Sequence, residues 1–365
     1  MKPMRCVIVS PCPKRTPGGV SQYVRWQQGV LRSLGWDVEL YLSFIEAPGV
    51  RKYAYQATKF LTYLVYRLAD VSLVWVHASE WKSILRKAAY IWVTKRRSGA
   101  RAVLHLHAAQ LPPAGSFRSA LLRFSLARSG VDRIVVLSAY WKEVLAELAP
   151  EISDKLVVLA NPIDASIADS VYARRLLSAW EQEAERVVTF LGRVGFRKGI
   201  DTVLDAARVL RRDNLRKIKI RAFGDGALNT IRSQIRSEEL SNVLDLPGWV
   251  SAESKLEVLT SSYCNILPSR NEGLPLSVLE ALGCGIPCIV SDIPAHIAAF
   301  GGLPGVFFHK TGDHLSLLEN LASLASISSE EYGKLCIETR MGASERFGQE
   351  TIVNKTRELI SGFNL

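Results

Sequence analysis

The sequence predicts an α/β protein built from two doubly wound parallel sheets. Three observations predict it. The 365 residues exceed what one core usually holds. Short β-rich runs alternate with helical periodicities along most of the chain. The alternation is punctuated by Asn161-Pro162-Ile163-Asp164 and restarts at Val187. In the first series, strands are expected at 6–10, 38–42, 73–77, 102–107, 134–138 and 156–159. Helices fall between them at 20–34, 53–68, 81–94, 117–128 and 139–148. The second series has strands at 187–191, 217–223, 243–246, 264–267, 287–291 and 306–309. Its helices fall at 199–211, 229–238, 252–261, 274–282 and 313–324, and the chain closes on helices at 329–346 and 349–361. The domains are placed at 1–165 and 166–346, joined near 161–185. Sheets of this kind bind ligands at the carboxyl ends of their strands, so the two ends are expected to face a common cleft.

Composition narrows the class. Hydrophobic residues at 48% and charged residues at 22% are ordinary for a globular protein. No secretory leader is expected, because the apolar run 5–10 is short and Pro11 and Pro13 follow it. The longest apolar stretch, 60–76, is interrupted by Arg67 and Asp70, short of the ~18 residues a spanning helix needs. Six cysteines show no paired spacing and read as reduced packing thiols, which fits the cytoplasm. The charge is lopsided: residues 1–165 hold 23 Lys and Arg against 11 Asp and Glu. No acid occurs between Glu80 and Asp132, where ten cations stand. An anionic partner for the first half follows.

The chemistry concentrates in the second half. Pro268-Ser269-Arg270-Asn271-Glu272-Gly273-Leu274-Pro275-Leu276-Ser277 links an apolar strand to a helix that carries Glu280. A glycine turn feeding a helix start offers backbone N–H groups to an anion. Glu272 and Glu280 flank those donors and can accept hydrogen bonds from hydroxyls. A phosphate beside several hydroxyls describes a nucleotide sugar. Upstream, Gly192, Gly195 and Gly199 shape a loop that brings Arg193 and Lys198 to a strand end, a fork and a point charge suited to a diphosphate. Gly224-Asp225-Gly226 follows the next strand, and no third glycine follows to complete a dinucleotide fingerprint. Trp249, after Gly248, reads equally as core or as site. Gly18 and Gly19 open a helix after the first strand, where backbone can approach a ligand closely. His105 and His107 share one strand face. Further ligands at suitable spacing are missing, so no metal is expected.

The ordered strand, Pro-Ser turn, Glu-Gly, helix and Gly285-Ile286-Pro287 resemble the E-x7-E segment of retaining glycosyltransferases of family 4 (group 1), which have the GT-B fold. The resemblance spans nearly the whole chain and is strongest over 187–291. It implies that Arg193 and Lys198 contact the donor diphosphate, that Glu280 holds ribose hydroxyls, and that Glu272 meets the donor sugar. Gly273, Leu274, Pro275 and Leu276 would line the sugar-phosphate site, Gly224 and Trp249 the nucleotide site. Gly18 and Gly19 would lie at the donor–acceptor junction, and His107 would contact the sugar. His107, Glu272, Arg193 and Lys198 are thereby the expected catalytic set, with a nucleotide-diphosphate sugar as substrate, no cofactor and no metal. The resemblance also implies same-face attack with retention, and a last helix, 349–363, that packs back on the first domain. Two departures stand out: Asn161-Pro162-Ile163-Asp164 for Asn-Gly-Ile-Asp, and Pro294-Ala295-His296 for a glycine pair.

The cation-rich stretch 81–131 interleaves Trp81, Trp92, Phe117 and Phe124 with its charges, a pattern suited to an anionic bilayer. The expected protein is cytoplasmic and peripheral on the inner face of the cytoplasmic membrane. It would transfer a hexose to a lipid-linked glycan in cell-surface polysaccharide biosynthesis. No nucleic-acid motif accompanies the charge, and nucleic acid is not expected as a partner. A GT-B-shaped epimerase or phosphorylase, or a non-catalytic nucleotide-sugar-binding protein, are the alternatives.

Overall fold

The computed structural model describes residues 4–11, 18–45, 49–177, 185–213 and 217–363. The chain divides into two compact units, 1–161 with 352–365, and 162–351. The break thus falls earlier than the expected boundary after residue 165.

The first unit holds β1 (Arg5–Pro11), α1 (Gly19–Ser33), β2 (Asp37–Phe44), α2 (Val50–Leu64), β3 (Val71–Ala78), α3 (Trp81–Ser98), β4 (Arg101–Leu106), α4 (Phe117–Arg128), β5 (Arg133–Val136), α5 (Ala139–Leu148) and β6 (Leu156–Val158). Its sheet runs β2-β1-β3-β4-β5-β6, all parallel. Strand side chains alternate between two buried layers. Val7, Val9, Val74, Val76 and Leu104 face Tyr63, Ile84, Tyr90, Leu122 and Leu145, which come from α2 to α5. Cys6, Ile8, Leu73, Trp75 and Val103 face Val24 and Leu31 of α1. Ile352, Leu359, Ile360 and Phe363 join that second layer.

The second unit opens with α6 (Ala165–Leu177), a segment read from sequence as linker. The pattern hides this helix because Arg175 breaks its apolar stripe. Arg175 is fully buried and donates to the carbonyls of Leu259, Thr260 and Ser262. Then follow β7 (Arg186–Leu191), α7 (Ile200–Arg212), β8 (Ile218–Phe223), α8 (Leu228–Ser237), β9 (Leu244–Gly248), α9 (Ala252–Thr260), β10 (Ser262–Leu267), α10 (Leu276–Gly283), β11 (Cys288–Ser291), α11 (Pro294–Phe300), β12 (Val306–His309), α12 (His314–Ser326), α13 (Ser329–Phe347) and α14 (Gln349–Ser361). From Ile352 onward α14 belongs to the first unit. Its parallel sheet runs β12-β11-β10-β7-β8-β9. Strand order reverses between β7 and β10, and the carboxyl ends at such a reversal form a ligand crevice. Ser328 and Glu331 close a capping box on α13, worth about 1 kcal/mol. The five described cysteines are free and buried, which fits packing thiols; Cys12 lies outside the described residues.

Candidate active site

The second-unit site assembles from the loops that follow β7 and β10, the two strands at the reversal. After β7 the chain runs through Gly192 into a 3-10 turn, Phe196–Lys198, and then α7. After β10 it runs through 268–275 into α10. The two loops are stapled together. Arg270 lies over the Phe196 ring at 3.9 Å and forks onto Asp201 at 2.8 and 2.6 Å. The Arg270 N–H donates to the Arg197 carbonyl, and Arg197 donates to the Asn271 carbonyl. A Cβ at Gly199 would stand 2.0 Å from the Pro268 carbonyl oxygen, so only glycine permits this approach.

That stapling brings Lys198 Nζ to 2.6 Å from Glu272 Oε1. Both side chains are largely buried, and Ser269 donates a second hydrogen bond to the same carboxylate at 2.8 Å. Burial pushes the Glu272 carboxyl up, but Lys198 and Arg197 outweigh it and hold the group below its ordinary range. Arg193 is exposed and has no ion-pair or hydrogen-bond partner among the described residues. The site therefore holds one cation committed to a carboxylate and one free to take an anion.

Helix α10 begins at Leu276, later than the Leu274 start read from sequence. Pro275 is its extended N-cap, with ψ 116°. Val278 and Leu279 donate to the Pro275 carbonyl. The N–H groups of Leu276 and Ser277 have no acceptor among the described residues and stand ready for an anion. Glu280 is buried and gripped by Lys255 at 2.9 and 3.1 Å. A cation therefore already neutralises the carboxylate assigned to ribose hydroxyls.

Gly224 and Gly226 lie beside the loop after β7. Gly224 has φ 153°, and a Cβ there would meet the Gly192 carbonyl oxygen at 1.8 Å. Gly224→Ala is expected to lose about 1–3 kcal/mol by overpacking and backbone strain, as read by urea denaturation. An unchanged midpoint would contradict the close approach. Trp249 is 65% exposed, so it is not core. His296 is the residue that sequence reading passed over, noted only as a departure from a glycine pair. It is buried, its Nδ1–H donates to the Ser291 carbonyl at 2.9 Å, and its Nε2 has no partner. Burial lowers it to about 4, against the field of Glu272.

In the first unit, Gly18 caps α1 with φ 142° and Gly19 opens the helix; Pro17 lies outside the described residues. His107 follows β4 and anchors its backbone N–H on the Ala78 carbonyl. The fold adds a partner that sequence spacing did not show. His77 on β3 sits opposite His105 on β4, and its Nδ1 lies 3.0 Å from His107 Nε2. His77 Nε2 donates to Gln27 Oε1 at 2.8 Å. Burial pushes His77 and His105 well below the ordinary imidazole range and His107 to about 3.

Residues 178–333 match the family model described as Glycosyl transferases group 1. Over 174 residues the chain is 26% identical to a 2-deoxystreptamine N-acetyl-D-glucosaminyltransferase of Niallia circulans, covering 47% of this chain and 41% of the relative. Over 110 residues it is 34% identical to a UDP-Gal:alpha-D-GlcNAc-diphosphoundecaprenol alpha-1,3-galactosyltransferase of Escherichia coli, covering 29% and 28%. The chain thus spans less than half the length of these curated relatives. Among solved structures, HepE of Anabaena in complex with UDP superposes with TM-score 0.73 at 14% identity over 98% of this chain and 100% of that one. Sucrose-phosphate synthase from Thermosynechococcus elongatus superposes with TM-score 0.76 at 16% identity over 99% of each chain. Two parallel six-stranded sheets with alternating helices match the GT-B class of these structures. The segment that matches the group 1 glycosyl transferase model lies within the second unit.

Proposed function

We propose that the protein is a retaining hexosyltransferase that moves a sugar from a nucleotide-diphosphate donor to a hydroxyl of a lipid-linked glycan. The observation that carries this is the loop pair after β7 and β10. It sets the exposed Arg193, the Lys198–Glu272 pair and the amides of Leu276 and Ser277 on one sheet reversal. Departure of the nucleoside diphosphate builds charge on its β-phosphate. Arg193, Lys198 and the helix-start amides stabilise that charge as it develops. Glu272 orients the donor sugar's hydroxyls. Lys198, held by Glu272 in a fixed rotamer, is preorganised for the phosphate. The diphosphate takes the acceptor's proton while the hydroxyl attacks from the same face, so the anomeric configuration is kept. No metal enters this scheme, because fixed cations supply the positive charge.

Thermal shift against UDP-, GDP- and ADP-sugars selects the donor. An NMR time course then reads the anomer formed. Retention with Glu272-dependent turnover supports the proposal. Inversion overturns it, and so does donor binding without transfer to any glycan.

The acceptor side rests on α2, α3 and α4, which lie on one sheet face and contain no acid. Their outer surface exposes Val50, Tyr53, Trp92, Phe117 (83%) and Phe124. Arg96 stacks on Trp92 and Arg128 on Phe124. Apolar wedges beside cations suit an anionic bilayer, at about 1 kcal/mol per cation near the surface. No helix of the described residues is long and apolar enough to cross a membrane. Sedimentation with anionic vesicles is expected to recover the protein. Arg96→Ala/Arg118→Ala/Arg128→Ala together are expected to weaken that binding about 100-fold. Equal recovery with neutral vesicles would remove the membrane from the proposal.

A further inference from the structure

We propose that His77, His105 and His107 form a three-imidazole site for a divalent transition metal, with zinc the occupant best suited to the ligands. The topology creates the cluster. Parallel pairing sets His77 opposite His105, and the two-residue period of β4 carries His107 onto the same face. One ring nitrogen from each lies within 4.8 Å of the other two. Nitrogens that share a tetrahedral ion stand about 3.3 Å apart. His77 Nδ1 and His107 Nε2 at 3.0 Å are already near that spacing.

The surrounding shell fits ligation. Gln27 Oε1 can only accept, so His77 Nε2 carries the proton and Nδ1 keeps its lone pair. A ligating imidazole that donates its other N–H to an oxygen is the usual supporting arrangement of a metal centre. His107 then donates from Nε2 to His77. Metal binding needs its proton to move to Nδ1, with no net loss of a proton.

The decisive observation is an unpartnered histidine within the cluster. Both nitrogens of His105 are buried without a hydrogen bond, and so are the Tyr23 hydroxyl and Gln27 Nε2. Tyr23 sets its ring edge against all three imidazoles, 4.7 Å from His105 between centroids. Buried polar groups are normally paired, and His105, with neither ring nitrogen bonded, keeps a lone pair free for a guest. A histidine present only for packing gains nothing over the apolar Trp75 and Val103 on the same face. The rings lie 18° to 33° from parallel. Convergence on one ion therefore requires a turn about χ2, a soft torsion. His105 makes that turn without losing a hydrogen bond.

The test uses the full chain without an affinity tag, stripped with a chelator and titrated with Co2+ alone. A visible ligand-field spectrum is expected to saturate at a single equivalent and to be displaced by Zn2+. His105→Phe, which fills the space, and His77→Leu are expected to abolish it. Gln27→Ala keeps every ligand and is expected to weaken the affinity about 10- to 100-fold. Circular dichroism checks that each variant is folded. Two results overturn the site: no saturable Co2+ spectrum from the wild type, or one unchanged in folded His105→Phe. If His105→Phe does not fold, an unchanged affinity in Gln27→Ala overturns it instead. None of these readouts involves sugar transfer.

Discussion

Lys198→Ala is expected to cost about 3–5 kcal/mol of stability, because it strands the buried Glu272 carboxylate without its main cation. Arg197 stays 3.6 Å away but is half exposed, and it cannot replace a contact at 2.6 Å. If Lys198 also meets the donor phosphate as proposed, the same change removes a fixed charge there, worth about 10²–10³ in kcat. The two losses separate in a double variant. Lys198→Met/Glu272→Gln removes both charges and is expected to recover most of the stability, since a buried pair is often matched by neutral residues of similar size. Its turnover stays low. Urea denaturation gives the coupling energy between the two residues. Single variants whose stability losses merely add would show that the pair is not coupled. A double variant with restored turnover would show that Lys198 serves Glu272 and not the donor.

Acid is expected to unfold the first unit of the metal-free protein steeply below pH 6.5. His77 and His105 are buried and His107 is partly buried; all three are neutral, with their protonation pushed below the ordinary imidazole value of about 6.5. The unfolded chain binds protons that the folded unit refuses, so stability rises with pH in this window. The contribution is fully present above pH 6.5. It is lost as pH falls through and below that value, continuing for His107 toward about 3. Each histidine contributes about 1.4 kcal/mol per pH unit, and three together about 4. Against a total of about 5–15 kcal/mol, the loss across one to two pH units is large. Lys87, whose field reaches His77, is itself buried, and burial lowers its protonation in the same sense. His105→Phe is expected to flatten the slope by about a third. A stability flat from pH 7 to 5, followed by urea denaturation with a probe in the first unit, would contradict the buried neutral state.

Much of this architecture was legible beforehand. All twelve strands stand where short apolar runs were read, because a strand buried on both faces must be continuously apolar. The β10–α10 segment was legible for a local reason. A strand end, a glycine turn and a helix start within a dozen residues present amides and a carboxylate whatever surrounds them. Misreadings came where tertiary contacts override local pattern. The helix α6 was hidden because Arg175 is charged yet buried, satisfied by carbonyls far along the chain. Pro275 fits a first helical turn, but here it caps from an extended conformation, and α10 starts after it.

By itself the sequence determined the parallel α/β build, the uneven charge, and the loops whose glycines and cations suit a diphosphate. These are properties of periodicity and of neighbours along the chain. Only the tertiary structure decided that Lys198 grips Glu272, that Lys255 neutralises Glu280, and that His77 joins His105 and His107. Each of those pairings closes between residues distant in sequence. Strand order and register fix them, and a linear reading carries neither.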